Sequence, residues 1–410
     1  MTWEPLLPDW SPADVDATAV WARSGAQWLT APGVGVPERL VRSIAGIAAH
    51  LDDSGVGVSG LTGGNPVALL AERAAVMGFG PAGRDTCGGA GRLVCCGDGW
   101  LALSLTRAAD VDLVPAWLET DLPDLESDPW PAVEAAVAHR SATELGDRAA
   151  ELGLACAVVG ETVDHGPVRV DRVGDAPAHR CAGALVVNLS ALWAGPLAGD
   201  LLARLGARVV KVESVGRPDG GRRARRFFQA LHGRCESVAL DFTTDRGRGQ
   251  LAELLARADV VIEGSRPRAL EQLGIDARQV AAGGPVVWLS ITGHGRVGAA
   301  AQRVGFGDDA AAGGGLVGEV GGEPRFVADA VADPLTGLVA ASTVVQLLER
   351  GGRWMVDVAL ARVAASMSPV AHGATAAAHP DRPRPRRDPG AALPLGRDTD
   401  RVLAEFDIEP

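Results

Sequence analysis

The chain has 410 residues, 47% of them apolar and 22% charged, with a formal net charge of −12 at pH 7. That is the composition of a folded protein of two or three domains, and its acidic balance argues against nucleic acid or an anionic membrane as a partner. No apolar run reaches the roughly eighteen residues that cross a bilayer, and Met1-Thr2-Trp3-Glu4-Pro5 does not resemble a signal peptide, so a cytoplasmic location is expected. Cys87, Cys95, Cys96, Cys156, Cys181 and Cys235 form no CxxC pair, and neither a metal site nor a disulfide framework is expected. Only Lys211 among the 39 basic residues is a lysine, and tyrosine is absent. GC-rich coding accounts for this bias, and it leaves acid–base chemistry without tyrosine and almost without lysine.

Residues 1–80 read as mainly helical, with apolar residues at three- and four-residue spacing over 41–51 and 66–77. A small α+β domain is expected over 81–160. It begins with a hairpin, 92–96 and 100–105 around Gly97-Asp98-Gly99, and continues with helical patterns at 108–118, 130–139 and 143–153. The last carries the capping-box pattern Ser141-x-x-Glu144, and a strand at 155–159 follows. Residues 161–182 are polar and punctuated by Pro and Gly, which reads as a linker.

From 183 to 370 strands alternate with helices. Strand patterns at 184–189, 208–213, 238–240, 259–263 and 286–291 are separated by helical ones, a long helix follows over 334–350, and 354–358 reads as a strand. The fold class expected is α/β: a large, doubly wound, mostly parallel sheet domain beside the smaller α+β domain. Residues 371–410 read as an irregular Pro/Arg-rich tail ending in a short ordered segment.

Four GxGxxG patterns occur, but only Gly293-Gly295-Gly298 follows a strand, and it falls late in the alternation, so nicotinamide binding is not expected. His294 lies in the loop after a predicted strand, and Asp308-Asp309 reads as a solvated acidic turn. Asp333 precedes Pro334 at the start of the long helix. It reads either as a helix cap or as a carboxylate kept ionised by helix N–H groups and hence a nucleophile. Cys87-Gly88-Gly89-Ala90-Gly91 reads either as a connector or as a backbone loop that closes over a substrate.

The stretch Val187-Asn-Leu-Ser-Ala-Leu-Trp-Ala-Gly-Pro-Leu197, running on to Leu205-Gly-Ala-Arg-Val-Val-Lys-Val-Glu213, resembles the first βαβ unit of the class III CoA-transferases. That superfamily includes formyl-CoA transferase, carnitine CoA-transferase and α-methylacyl-CoA racemase. Similar segments follow in the family's order: Ser237–Asp241, Ala258–Glu263, Ser290-Ile-Thr-Gly-His-Gly295, Val331-Ala-Asp-Pro-Leu-Thr-Gly337 and Leu395–Glu405. The segment Gly97-Asp-Gly-Trp-Leu-Ala-Leu103 is similar to the family's small domain, which here precedes the large one.

The resemblance implies CoA transfer from an acyl-CoA to a small carboxylic acid through a covalent aspartyl intermediate. Coenzyme A is then a substrate and no metal is needed. Asp333 matches the nucleophile, and Gly88, Gly89 and Gly91 match the glycine loop that covers it. Trp193 stands where some members carry a glutamine, while Asp219, Arg222 and Arg266 match positions near CoA. Arg234 falls in a segment where the family's lysine has become Cys235, which raises the question whether Arg217, Arg222, Arg223 and Arg234 take over the CoA phosphates. Phe306 stands where the racemase branch has its histidine. A catalytically inactive CoA-binding partner protein and a racemase are the alternatives, and the family's habit implies a homodimer or a hetero-oligomer.

Overall fold

A computed structural model describes residues 3–120, 128–163, 165–370, 376–387, 390–391 and 394–409. Parts of the expected irregular tail (371–375, 388–389, 392–393 and 410) lie outside the described residues. The strands, in chain order, are β1 (Glu4–Pro5), β2 (Gly91–Cys95), β3 (Trp100–Ser104), β4 (Ala155–Val158), β5 (Val168–Gly174), β6 (Leu185–Asn188) and β7 (Arg208–Ser214). They continue with β8 (Glu236–Leu240), β9 (Val260–Glu263), β10 (Val287–Thr292), β11 (Gly318–Val320), β12 (Glu323–Arg325) and β13 (Arg353–Ala359).

The large sheet has eight strands in the order β1-β5-β13-β10-β9-β6-β7-β8. The six members from β13 to the edge strand β8 run parallel, and β5 and β1 extend the other edge by antiparallel pairing. Valine and isoleucine dominate β6, β9 and β10, and strict alternation sends their side chains to two separate cores. Val186, Val260, Ile262 and Leu289 join the core under the helices Ala194–Arg204 and Ala332–Arg350, whereas Val187, Val261 and Trp288 face the opposite one. The helices of the first 80 residues pack outside Ala332–Arg350 and share the first of these cores.

The chain leaves β6 toward β7 and β8, then returns to its other side for β9, β10 and β13. The crevice outside the carboxyl ends of β6 and β9 is therefore the topological switch point, where open α/β sheets bind ligands.

The stretch 161–182, which reads as a linker, contains β5, a strand of the large sheet paired along its length with β13. The expected capping box at Ser141 is replaced by a cap from the hairpin turn. Asp98 accepts the Ala142 N–H at 2.7 Å and the Ser141 hydroxyl at 2.8 Å, which holds its carboxyl below the usual value. The long helix begins at Ala332 with Val331 as its cap residue, so Asp333 lies inside the first turn and is not the cap.

Candidate active site

Asp333 is brought to the surface of a crowded acidic centre by the bend that precedes its helix. Ala328 and Ala330, on either side of Asp329, have φ of 55° and 44°, left-handed conformations that cost an alanine roughly 1 kcal/mol each. Four contacts hold the bend. The Thr30 hydroxyl accepts the Ala328 N–H at 3.0 Å, the Cys87 thiol donates to the Ala328 carbonyl at 3.3 Å, Asp308 accepts the Ala330 N–H at 2.9 Å, and Arg73 binds Asp329 through Nε and a terminal nitrogen.

The short helix Gly307–Gly313 lies directly beneath. The Gly307 N–H is directed to the Asp333 carboxylate, and a β-carbon on Gly307 would sit 2.6 Å from Asp333 Oδ2. Asp308 and Asp309, which read as a solvated turn, are instead buried in this helix. Asp309 accepts the Ser104 hydroxyl at 2.8 Å, tying the end of β3 to the large domain.

Burial raises the Asp333 carboxyl to about 7, with Asp329 adding to the effect and Arg73 and the Gly307 N–H opposing it. Burial likewise raises Asp308 to about 8, reinforced by Asp329, and Asp309 to about 7. The helix start does not keep Asp333 fully ionised, as the sequence suggested; desolvation outweighs it. Asp333 itself retains partial solvent access, whereas Asp309 and Asp329 have none.

The glycine loop reaches this centre within the same chain. Gly89, left-handed at φ 74°, closes a turn in which its N–H bonds Thr86 O at 2.9 Å, and Gly88 packs on Phe79. Cys87, at the head of the loop, touches Ala328, and Gly91 pairs across the ladder with the same Ser104 that bonds Asp309.

Trp193 is almost wholly buried. Its ring meets Phe227 edge-on at 5.0 Å, and the Arg73 guanidinium lies 5.4 Å from its centre. Its indole nitrogen is buried without a hydrogen-bond partner among the described residues. Arg73 also lies over Phe79 at 5.6 Å, so it sits between two aromatic rings beside the acidic centre.

A second group gathers at the switch point. Arg266 follows β9, and Arg268, Arg107 and Arg217 are close enough to disfavour its charge, after burial, the largest cause of its lowered value. Arg107 belongs to the small domain, where its Nε lies 2.9 Å from the buried Asp110 carboxylate, so the patch draws a charge from that domain that is already paired. Asp219 and Arg222 line the same edge, but their side chains are committed to the fold. Asp219 accepts the Leu192 and Gly221 N–H groups and pairs with Lys211 at 3.1 Å; against the opposing effect of burial these hold its carboxyl low. Arg222 is held by Glu213, with Nε at 2.9 Å, and stacks on Phe228 at 4.5 Å.

Arg234 lies apart. It precedes β8 and so sits at the amino-terminal edge of the parallel strands, opposite the carboxyl edge that carries Arg217 and Arg266. The arginines brought together at the carboxyl edge are Arg107, Arg217, Arg266 and Arg268, with Arg234 on the opposite edge of the sheet. Arg73, Asp329, Arg107 and Arg268 escaped the sequence reading, since only the fold brings them near the matched residues. Among the described residues no group of three or more His, Cys, Asp or Glu side chains is arranged to hold a metal ion, and no helix is long and apolar enough to cross a membrane.

A family profile described as CoA-transferase family III matches residues 181–396, more than half of the chain. The chain belongs to CoA-transferase family III. Among curated CoA-transferases, the succinate–glutarate CoA-transferase of Agrobacterium fabrum is 29% identical over 201 residues, covering 44% of this chain and 50% of the relative. An acyl-CoA transferase of Fusarium pseudograminearum is 31% identical over 176 residues, 38% of this chain and 39% of the relative. A solved CAIB/BAIF family protein of Brucella suis is 30% identical, with 46% of this chain and 55% of that one covered and a TM-score of 0.41. The chain thus spans about half the length of the CoA-transferases it matches. Its family segments are those of the large domain, and the matched stretch includes Asp333 and Arg266 but not the glycine loop.

Proposed function

We propose that the chain transfers CoA from an acyl-CoA donor to a carboxylic acid, with Asp333 as the nucleophile. The observation that carries this reading is a partly accessible carboxylate, packed against Gly307 and raised by burial, in a centre assembled from both domains of one chain. A carboxylate in such a place is available as an anion without being so strongly stabilised that it loses nucleophilicity.

The steps follow from that chemistry. The Asp333 carboxylate attacks the thioester carbonyl, the C–S bond breaks, and a mixed anhydride forms with release of CoA thiolate. The thiolate attacks the Asp333 carbonyl carbon, expelling the donor carboxylate and leaving an aspartyl-CoA thioester. The acceptor carboxylate attacks that thioester to form a second anhydride, and the thiolate then takes the acceptor's acyl group, restoring Asp333. Both acyl intermediates hydrolyse readily, so shielding by the loop Gly88–Gly91 keeps water from diverting them. Arg107, Arg217, Arg266 and Arg268 form the basic patch for the CoA phosphates, a role suited to guanidinium groups. Trp193 forms a wall near the thioester, and Asp219 and Arg222 shape the edge between wall and patch. The reading needs no residue from a second copy.

The test is to incubate the protein with a panel of acyl-CoA thioesters, trap with hydroxylamine or borohydride, and locate the modification by mass spectrometry. Modification at Asp333, lost in Asp333→Asn, is expected. An unmodified Asp333 across the panel, with CoA still bound, would establish the inactive CoA-binding alternative instead.

A further inference from the structure

A cavity that plays no part in this chemistry lies on the helical side of the molecule. It forms where the Pro/Arg-rich segment crosses the helix Ala17–Arg23 and the loop Thr62–Asn65, and it measures about 370 Å³. Arg386 fills its floor, fully buried and satisfied by Glu72 and Asp200. That ion-pair network fixes the segment in place, so the arginines flanking Arg386 are presented around the cavity from a tethered backbone.

Arg23, Arg382, Arg384 and Arg387 line the cavity, and none is engaged as Arg386 is. Among the described residues Arg23 donates to the Ala19 carbonyl at 3.2 Å, Arg382 lies over the Trp28 ring at 5.6 Å, and Arg384 lies 3.6 Å from Asp381. The guanidinium of Arg387 lies 3.4 Å from where a Gly63 β-carbon would stand, and Gly63 and Gly64, both left-handed, leave the rim open beside it. Four arginines thus line a space whose only lining carboxylate besides Glu72, spent on Arg386, is that of Asp381 among the described residues. Like charges gathered around a concave space are mutually repulsive until an anion enters it.

We propose that this cavity is a binding site for a phosphate-bearing small molecule. Guanidinium forks match phosphate oxygens two at a time, and several of them exceed what a single carboxylate would neutralise. The site is separate from the strand-end patch: none of Arg107, Arg217, Arg266 and Arg268 lines it.

The experiment is calorimetric titration of the whole chain with inorganic pyrophosphate. The expected result is binding that weakens with salt, falls at least about tenfold in Arg382→Glu/Arg387→Glu, and persists in Arg266→Glu. Neither substituted rim residue makes an ion pair with a described carboxylate, so the variant should keep the wild-type melting temperature. Arg23→Ala provides a second, milder variant that should also weaken binding. Equal affinity in the rim variants and wild type, loss of binding in Arg266→Glu alone, or no binding at millimolar pyrophosphate would overturn the proposal.

Discussion

Arg73 binds Asp329 with its Nε 3.0 Å from Oδ2, and so lies near Asp333 without neutralising it. Were the guanidinium turned to Asp333, that carboxylate would be a stable, unreactive anion. Instead the cation is committed to a carboxylate four residues earlier, across a bend whose alanines are held in left-handed conformations. Removing it should therefore affect stability and reactivity together. Arg73→Met is expected to leave a wholly buried Asp329 unpaired and to cost about 3–5 kcal/mol in urea unfolding. Arg73→Met/Asp329→Asn should recover much of that loss, a coupling a double-mutant cycle would measure.

The three raised carboxyls make a pH signature. Asp333, Asp309 and Asp308 move from the ordinary 3.8 to about 7, 7 and 8. Between those limits the folded state binds more protons than the unfolded one, so this contribution to stability is fully present below about pH 4 and is lost progressively up to about pH 8. Thermal melts should fall over that window, and Asp308→Asn should flatten the slope. Trapped acylation at Asp333 requires the anion, so its single-turnover rate should rise with pH through about 7.

Gly307→Ala is the smallest change that should disable the site. Its β-carbon would stand 2.4 Å from the Ala330 carbonyl oxygen and 2.6 Å from Asp333 Oδ2, with backbone on one side and the Asp333 carboxylate on the other. Covalent trapping is expected to drop at least about a hundredfold, the scale on which misplacement by an ångström acts. The same substitution at Gly89 meets no atom within 4 Å and is strained only by its φ of 74°, so it should cost about 1 kcal/mol of stability.

Lys211, the one lysine, is closely packed. It is 3% exposed, donates to the Ser190 carbonyl and pairs with Asp219 at 3.1 Å in the middle of β7. Lys211→Arg should destabilise the protein by about 1–3 kcal/mol, the usual cost of overpacking, measured as a lower urea midpoint.

What could be read in advance follows the range of the forces involved. The parallel strands were legible because runs such as Val260-Val-Ile-Glu263 are buried on both faces. β5 was not, because Arg169, Asp171 and Arg172 make it look solvated, and Asp171 becomes buried only by pairing with Arg278. The helix Gly307–Gly313 carries no periodic signal at all: its residues are small or acidic and every one is buried. Arg73 meets Asp329 across 256 positions of sequence, and desolvation at Asp333 depends on that closure, so its titration near neutrality was invisible beforehand.

The strand β5 sets how the cleft can open. With β4 ending at Val158 and β5 beginning at Val168, only nine positions separate the small domain from the large sheet, and Arg303 crosses that interval to bind Glu161. Ser104 and Cys87 add fixed points on the other side. A domain fastened at both ends of its shared surface has little freedom to swing. For the proposed reaction, an acyl-CoA would then be admitted by local motion of the turn Thr86–Gly91, and the residence time of the proposed covalent intermediate would be a property of that one hairpin loop.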